Sequence, residues 1–371
     1  MSIGFTEDHE HLRELVRRFL QARSPSHEVR RLIRDGLGRD DEVWFQMAGQ
    51  LGLQGIAIPE EYGGSGFGPT ELGIVLEEMG RVLLVAPYFS TVALAGQTLT
   101  ASDDEEARRR WLPGIADGSL TATLAVAEHG GTGARTEIAT IAEPAGDGWA
   151  LTGTKLFVLD GHTADLLLVV ARAEDGIGLF GVEGDAAGVV RTELESLDLT
   201  RGMAEVVLDA APAIRVGGDR PSGGWLPRVR DLVLASLAAE QIGGAARCLE
   251  LAVEYAKVRE QFGRPIGSFQ AVKHKCAGLL IEIEAGRSAA YHAGFAVAEP
   301  GAEGAAAAAL AKAYCSEVFT HAAKECIQIH GGIGYTWEHD AHLFLRRAKS
   351  SELLFGTPAR QRARFADLVE I

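Results

Sequence analysis

Three blocks of hydrophobic pattern follow one another along the chain, and they predict different kinds of structure. Residues 1–118 place apolar side chains three and four positions apart, as amphipathic helices do. Residues 119–221 contain short β-rich runs separated by Gly or Asp turns, which are typical of an antiparallel barrel or sandwich. Residues 222–371 return to the helical period. This order predicts an α+β protein, mainly α, and argues against a Rossmann sheet, in which strands and helices alternate.

The C-terminal block has the most regular helical pattern. An apolar stripe runs along residues 234–256. Ser268 is predicted to cap the N-terminus of the next helix. An Ala-rich helix then covers residues 303–329 and is predicted to stop at the two glycines that follow. These segments predict a domain built from long helices.

The length and charge of the chain limit the number of domains and the kinds of partner that we expect. With 371 residues, the chain is long enough for two or three domains around a sizeable core. A formal net charge of −15 repels nucleic acid and anionic lipid, so neither is an expected partner. The sequence contains no apolar run of the roughly 18 residues that a membrane-spanning helix needs. The first residues form neither a basic nor an apolar leader, so we expect a cytoplasmic protein with no membrane association.

Metal ligands and disulfides are not predicted. The four cysteines lie in the last third of the chain without a CxxC pair, which favours reduced, buried thiols. His339 and His342 are three positions apart but have no clear third ligand, so no metal site is expected. The basic residues Arg346, Arg347 and Lys349 are candidates for binding an anion, and a solvated helix end is the simpler interpretation.

Several long motifs occur in a fixed order and span almost the whole chain. Residues 57–65, 77–81, 255–270 and 328–349 together resemble the acyl-CoA dehydrogenases. The resemblance implies an N-terminal helical domain (1–118), a central antiparallel β domain (119–221) and a C-terminal four-helix bundle (222–371). It also implies FAD as cofactor, an acyl-CoA thioester as substrate, α,β-dehydrogenation with hydride transfer to flavin N5, and an electron-transfer flavoprotein as electron acceptor.

In that family a glutamate removes the α-proton of the thioester, and this chain has apolar side chains where the resemblance places it. Phe355 occupies the position just before Gly356 and Thr357. Val233 occupies the alternative position near the start of the long C-terminal-domain helix. Neither side chain can accept a proton. Loss of a positioned base lowers a rate by about two to four orders of magnitude.

The nearest carboxylates are poor substitutes. Asp231 is predicted to point to a different helix face from Val233. Glu240 lies two helical turns after Val233, on roughly the same face of the helix. It is the one weak candidate base, and we interpret it as a buried or capping carboxylate. Glu352 is predicted to share a helix with Phe355 and to face solvent near Lys349. No catalytic residue is therefore assigned.

The residues that would contact FAD from a neighbouring subunit match the family motifs. In the family each flavin lies across a dimer interface, where a guanidinium grips pyrophosphate, an aromatic ring supports adenine and glycines allow close backbone approach. The motif positions in this chain are Arg259, Phe262, Gln328, Gly331 and Gly332. Gln261 and Thr357 are also predicted cofactor contacts.

The predicted pocket for the flavin ring has lost side-chain donors. The resemblance places Ala127 and Leu159 where the family has threonines, and Gly133 where it has serine. Phe157 preserves a flat aromatic at the ring and is a predicted cofactor contact. Backbone N–H groups remain available, so flavin binding by the chain itself is expected to be weakened. The glycine cluster of residues 130–133 is interpreted as a turn and not as a phosphate cradle.

A resemblance within the family accounts for this combination. Residues 237–248 and 267–275 are similar to base-lacking subunits of the α2β2 acyl-CoA dehydrogenases of actinobacterial steroid side-chain degradation. The implied protein completes the FAD site of a second subunit that keeps the glutamate. Two alternatives stay open: a self-sufficient homo-oligomeric enzyme with a displaced base, for which Glu240 is the least poor candidate, and a non-catalytic binding or scaffold protein on this fold.

Overall fold

The N-terminal block folds into helices, as its pattern predicts. The computed structural model describes residues 6–129, 138–217 and 225–371. The helices of this block are α1 (Glu7–Arg23), α2 (Ser26–Asp35), α3 (Asp41–Gly49), α4 (Pro69–Val82), α5 (Gln97–Ala101) and α6 (Glu105–Ala116). A π-helical stretch, Phe89–Gly96, leads directly into α5.

Local caps and apolar stripes explain where these helices form. The hydroxyl of Thr6 accepts a hydrogen bond from the backbone N–H of His9 at the start of α1. Asp40 and Asp104 cap α3 and α6 in the same way. Val16 and Leu20, four positions apart on the predicted stripe of α1, are fully buried. α1 therefore packs against α4 with this face.

The central block is a sheet that closes on itself. Its strands are β1 (Ala122–Ala125), β2 (Ile141–Ala145), β3 (Gly148–Leu159), β4 (Leu166–Ala173), β5 (Gly176–Glu183), β6 (Val189–Glu193) and β7 (Met203–Val216). The order β4-β2-β3-β7-β5 is closed by pairing of β5 with β4, while β6 pairs only with β7. The predicted barrel-or-sandwich is thus a small barrel.

Two details of the sheet depart from the predicted pattern. β1 runs parallel to β4, with Ala122 opposite Leu166, and β2 meets β4 through one parallel residue pair, whereas the other pairings are antiparallel. β2 itself was not predicted. Of its residues only Ala142 is buried, and Pro144 lies within it, so it lacks the alternating apolar pattern of a half-buried strand.

The C-terminal block is the predicted helical bundle. Its helices are α7 (Trp225–Val258), α8 (Gln270–Ala296), α9 (Ala302–His330), α10 (Ala341–Leu353) and α11 (Pro358–Leu368). α7, α8 and α9 pack against one another, and α11 lies along α9 as the fourth helix. The short strands β8 (Glu260–Gln261) and β9 (Arg264–Pro265) form a hairpin between α7 and α8.

The prediction that Ser268 caps α8 is wrong. Its hydroxyl donates a hydrogen bond to the carbonyl oxygen of Pro265 at 2.7 Å. Ser268 belongs to a 3₁₀ turn, Ile266–Ser268, that closes the hairpin. Phe269, with an extended backbone, occupies the N-cap position and makes no side-chain cap. The next prediction in the chain is accurate, because the Ala-rich helix α9 ends at His330, directly before Gly331.

Two glycines allow α4 and α7 to cross in close contact. A Cβ added to Gly243 on α7 would lie 1.8 Å from the carbonyl oxygen of Glu77 on α4. A Cβ added to Gly80 on α4 would lie 2.0 Å from the carbonyl oxygen of Glu240 on α7. No side chain fits at either point, so this crossing fixes α7, and the candidate site residues on it, against the N-terminal helices.

α7 is also the central helix of the bundle. Within the described residues it is the one helix long and apolar enough, by length and composition, to cross a membrane, and 94% of that apolar window is buried inside the protein. Helix gives way to strand between Ala116 and Ala122, and strand to helix between Val216 and Trp225. The border predicted after residue 118 falls in the first interval, and the border predicted after residue 221 lies outside the described residues.

Candidate functional site

Residue 355 lies in a tightly held loop beyond α10. Phe355 has φ +56°, is half-buried, and packs against both the N-terminal core and the core of the bundle. The side-chain amide of Gln361 donates to its carbonyl oxygen at 2.7 Å. Lys312 Nζ donates to the carbonyl oxygen of Glu352 at 3.2 Å. The loop is therefore fixed through its backbone, and the side chain at its tip is hydrocarbon.

The second expected base position is also packed with hydrocarbon. Val233 on α7 is 1% exposed and belongs to the hydrophobic cluster that includes the N-terminal helices. Phe355 packs against the same cluster. Neither expected position therefore presents an oxygen that can take a proton.

Glu240 is held in a buried ionic cluster. It is 5% exposed, and its Oε1 accepts hydrogen bonds from Arg201 and, at 3.1 Å, from Nη1 of Arg347. Arg347 also donates through Nε to Asp198 at 2.6 Å. Burial alone would lower the pKa of Arg201, but the charges of Glu240 and Asp198 outweigh it and raise that pKa. These contacts agree with the interpretation of Glu240 as a buried carboxylate.

The other nearby carboxylates are also engaged. Asp231 accepts a hydrogen bond from Arg364 on α11. Glu352 accepts from Thr320 on α9 at 2.8 Å and from Lys349 at 2.6 Å. Burial would raise the pKa of Glu352, but these hydrogen bonds outweigh it and lower the pKa. The prediction that Glu352 shares a helix with residue 355 is wrong, since α10 ends at Leu353.

The predicted FAD-contact residues on the hairpin are presented to solvent. Arg259 follows directly after α7, and Phe262 is 92% exposed at the hairpin tip with φ +53°. The Gln261 amide donates to the carbonyl oxygen of Glu260 at 2.8 Å. Within the described residues the guanidinium of Arg259 makes no hydrogen bond or ion pair. The hairpin thus displays a cation and an aromatic ring without an internal partner for the charge.

The residues at the end of α9 lie close to this hairpin. Gln328 is exposed, and Gly331 has φ +64°. A Cβ added to Gly331 or Gly332 would meet nothing within 4 Å, so the backbone there is open to a ligand. The ring of Tyr255, one turn before Arg259, stacks on His330 with 4.4 Å between centroids. The structure therefore brings the two predicted segments to the same end of the bundle.

This end is far from the expected base positions. Val258 lies 25 positions after Val233 on the same helix, which at 1.5 Å per residue corresponds to about 38 Å. One small pocket cannot include both Val233 and Arg259. Val233 therefore lies far from the predicted FAD contacts at the end of α7.

The β domain presents one predicted flavin contact and buries another position. A bulge in β3 between Lys155 and Val158 turns Phe157 outward, with φ +54° and 59% exposure. Leu159 instead lies in the hydrophobic core, so the position compared with a threonine does not face an open pocket. Ala127 is half-buried, and its carbonyl oxygen accepts the N–H of Leu156 at 2.9 Å. Gly133 and the glycine cluster of residues 130–133 lie outside the described residues.

Two positions before Phe157 on β3, Lys155 forms a buried ion pair that the sequence analysis did not single out. Lys155 is fully buried and donates to Glu128, which also accepts from the Thr140 hydroxyl at 2.7 Å. Burial lowers the pKa of Lys155 to about 8. Burial would raise the pKa of Glu128, but hydrogen bonds from Lys155 and Thr140 outweigh it and lower the pKa. An ordinary lysine in a strand gave no signal of this role.

The remaining predicted positions take structural roles. The hydroxyl of Thr357 accepts the N–H of Arg360 and caps α11. The interpretation of Arg347 as part of a solvated helix end is wrong, because it is 2% exposed within the ionic cluster. Arg346 lies over the ring of Trp337 at 5.2 Å, and Lys349 pairs with Glu352. Among the described residues no group of three or more potential ligands is placed to hold a metal ion.

Comparison with known proteins decides the family. Residues 6–119 match the model of the acyl-CoA dehydrogenase N-terminal domain, and residues 235–369 match that of its C-terminal domain. The chain is 34% identical over 356 residues to acyl-CoA dehydrogenase IpdE2 of Mycolicibacterium smegmatis, covering 96% of this chain and 97% of that protein. The chain belongs to the acyl-CoA dehydrogenase family.

Solved structures of acyl-CoA dehydrogenases are similar over the full length. The structure described as the Tcur3481-Tcur3483 steroid ACAD G363A variant is 34% identical, with a TM-score of 0.88 and 98% of each chain covered. The ChsE4-ChsE5 complex of Mycobacterium tuberculosis is 30% identical, with a TM-score of 0.89, covering 100% of this chain and 99% of that one. These similarities confirm the predicted fold.

FAD is the cofactor of acyl-CoA dehydrogenases, and one part of this chain fits it well. The unpaired guanidinium of Arg259, the exposed Phe262 and the open backbone at Gly331 and Gly332 suit pyrophosphate and adenine. The β domain offers Phe157 to a flavin ring, with no hydroxyl at Ala127. Arg259, Phe262, Gly331 and Gly332 are therefore open to a ligand, whereas the Thr357 hydroxyl caps α11 and Ala127 offers no hydroxyl.

Proposed function

We propose that this chain is the base-lacking subunit of a hetero-oligomeric, FAD-dependent acyl-CoA dehydrogenase, whose partner subunit supplies the catalytic glutamate. The observation that carries the proposal is the pair Phe355 and Val233. Both expected base positions hold packed hydrocarbon side chains, and the loop that carries Phe355 is anchored through its backbone. Because proton abstraction from a thioester needs a positioned base, this chain requires one from another polypeptide.

The second part of the proposal is that the chain completes the partner's FAD site. Arg259 and Phe262 lie at the end of α7 about 38 Å from the position of Val233, so they serve a pocket other than this chain's own. The pyrophosphate would pair with Arg259, and the backbone at Gly331 and Gly332 would approach it closely. FAD supplies the two-electron oxidation of the thioester when it is bound. The residues of this chain contribute binding and orientation.

The surface around these residues supports a partner. Val258, Phe262, Tyr335 and Trp337 are all more than half exposed; Val258 ends α7, Phe262 lies on the hairpin, and the other two lie on the turn after α9. A cluster of exposed large apolar side chains is typical of a surface that another protein covers. The cluster also adjoins the predicted FAD contacts, as expected if one interface holds both.

Within this proposal the substrate is a bulky acyl-CoA, such as a steroid side-chain thioester, and the electron acceptor is an electron-transfer flavoprotein. The assembly is an α2β2 tetramer in the cytoplasm. Support comes from the similar structures, one described as a steroid ACAD and the other as a complex of two named chains. The net charge of −15 is consistent with a soluble partner rather than nucleic acid.

The contacts of Glu240 favour a structural role over the alternative of a displaced base, although its Oε2 has no hydrogen-bond partner among the described residues. Glu240 is the candidate for it, and its Oε1 already accepts from Arg201 and Arg347. A proton acceptor must reach the substrate proton at hydrogen-bond distance, whereas Glu240 is 5% exposed. The base of the proposed enzyme is therefore assigned to the partner.

The test is to purify the chain alone and after co-expression with a candidate partner subunit that carries the glutamate. We expect bound flavin absorbance and dye-coupled oxidation of a steroid side-chain thioester only in the co-purified complex. Arg259→Ala should remove FAD from the complex, while Lys257→Ala, which removes a nearby exposed charge, should not. Full activity of the chain alone would support the displaced base, and absence of flavin from both preparations would support the scaffold; either result overturns the proposal.

A further inference from the structure

Two aromatic side chains connect the end of α7 with the end of α9. Tyr255 on α7 stacks on His330, the last residue of α9, with 4.4 Å between centroids and 29° between ring planes. His339 contacts the same imidazole at 4.1 Å. The backbone N–H of Arg259 donates to the carbonyl oxygen of Tyr255 at 2.9 Å. The stack thus adjoins both segments that carry the predicted FAD contacts.

The imidazole of His330 is oriented by its own helix. Its Nδ1 lies 2.7 Å from the carbonyl oxygen of Cys326. A carbonyl can only accept, so Nδ1 carries the proton and donates it. Burial would lower the pKa of His330, but its hydrogen bonds to Cys326 outweigh burial and raise the pKa. Cys326 and Cys248 on α7 are both buried in the same hydrophobic cluster of the bundle, so packing also joins the same two helices.

We propose that Tyr255 and His330 are positioning residues that hold the Arg259 hairpin and the Gly331 turn in the relative geometry needed to bind FAD. This inference rests on the proposed function. Neither residue touches the cofactor in this proposal; Tyr255 acts through Arg259 and His330 acts through Gly331. His330 is 4% exposed, so it is not itself available as a ligand contact.

The physical reason is that neither segment is rigid by itself. The hairpin has strands of two residues each, and such a hairpin is marginally stable without packing. The turn after α9 contains two glycines with open space around them. A pyrophosphate held from both sides loses affinity steeply when one side moves, because binding groups must be held within fractions of an ångström. The stack supplies that constraint.

The test uses the co-purified complex and measures both the FAD dissociation constant and the melting temperature of each variant. We expect Tyr255→Ala and His330→Asn to weaken FAD binding roughly tenfold or more, by loss of a stacked aromatic contact and of the order it imposes. Tyr255→Phe keeps the ring and should bind FAD within about twofold of wild type. Tyr314→Ala is the matched control, because Tyr314 packs against the bundle on α9 away from this end; it should lower the melting temperature and leave FAD affinity unchanged.

Several outcomes are decisive. Wild-type FAD affinity in a folded Tyr255→Ala complex would overturn the inference, as would equal losses in Tyr255→Ala and Tyr314→Ala. If Tyr255→Ala does not fold, Tyr255→Leu keeps apolar volume without the stack and replaces it. Arg259→Ala tests the proposed function separately from the positioning role. If Arg259→Ala retains FAD, the proposed function fails. If Arg259→Ala loses FAD while Tyr255→Ala keeps full affinity, the positioning role alone is refuted.

Discussion

Glu240 and Arg347 form an ion pair of 3.1 Å that joins α7 to α10 in the interior of the protein. Arg347 also reaches Asp198 in the segment before β7, so one guanidinium connects the bundle with the β domain. A buried carboxylate that pairs with guanidinium groups contributes primarily to the stability of the fold. Removing one member of such a pair leaves an uncompensated buried charge, which is strongly destabilising.

Replacing Glu240 should therefore affect stability and not chemistry. We expect Glu240→Gln to lower the free energy of unfolding by about 3 kcal/mol, measured by urea denaturation. Turnover per folded complex should stay close to wild type. Glu254→Gln, which removes an exposed partner of Arg247 from the same helix, should change stability by less than about 0.5 kcal/mol. A stable but inactive Glu240→Gln complex would contradict the structural role.

The crossing of α4 and α7 gives a second prediction. Gly243→Ala would place a Cβ 1.8 Å from the carbonyl oxygen of Glu77, so one helix must move. We expect a loss of at least about 3 kcal/mol in the free energy of unfolding, or failure to fold. Gly278→Ala on α8 is the control, because a Cβ there meets nothing within 4 Å. It should raise stability by up to about 1 kcal/mol through helix propensity. Equal effects of the two substitutions would refute the close crossing.

The sequence predicted the architecture because each block has its own hydrophobic period. The helical stripe of α7 and the stop of α9 before Gly331 could both be predicted from spacing and from the backbone freedom of glycine. β2 could not, because a short strand with one buried residue has no alternating pattern. The parallel pairing of β1 with β4 is a tertiary arrangement that no local pattern encodes.

Features of the candidate site could be predicted where the chemistry of the side chain alone decides them. The side chains of Phe355 and Val233 cannot accept a proton in any fold, and the side chain of Arg259 is a cation in any environment. The role of Arg347 was not predictable, because its burial depends on Asp198 and Glu240, both more than a hundred positions away in the chain. The stack of Tyr255 on His330 was missed for the same reason: it joins two helices whose register only packing determines.

Thiol reactivity should follow burial. Cys276 on α8 is half-buried, whereas Cys248, Cys315 and Cys326 are buried. A chromogenic disulfide reagent should therefore react with one thiol in the native protein and with all four cysteines after denaturation. Burial raises the pKa of Cys276, so this reaction should be slow at neutral pH and accelerate as pH rises. Cys276→Ser should abolish it; rapid reaction of two or more native thiols would be inconsistent with the packing.

The burial of Lys312 leads us to expect that the free energy of unfolding depends on pH. It is fully buried on α9, where Nζ donates to the Ser316 hydroxyl at 2.8 Å and to the carbonyl oxygen of Glu352. Burial lowers its pKa from 10.5 to about 8. Between these two values the unfolded chain binds more protons than the folded one, so the contribution of Lys312 to the free energy of unfolding rises with pH.

The measurement is urea denaturation of wild type and Lys312→Met at several pH values from about 7 to 10. The stability of wild type relative to the variant should increase across this range by up to roughly 3 kcal/mol, since each unit of pKa difference corresponds to about 1.4 kcal/mol. Lys273→Met removes an exposed lysine from α8 and should show a difference from wild type that does not change with pH. A flat difference for Lys312→Met as well would mean that Lys312 keeps an ordinary pKa, and that water or a carboxylate reaches its ammonium group in solution.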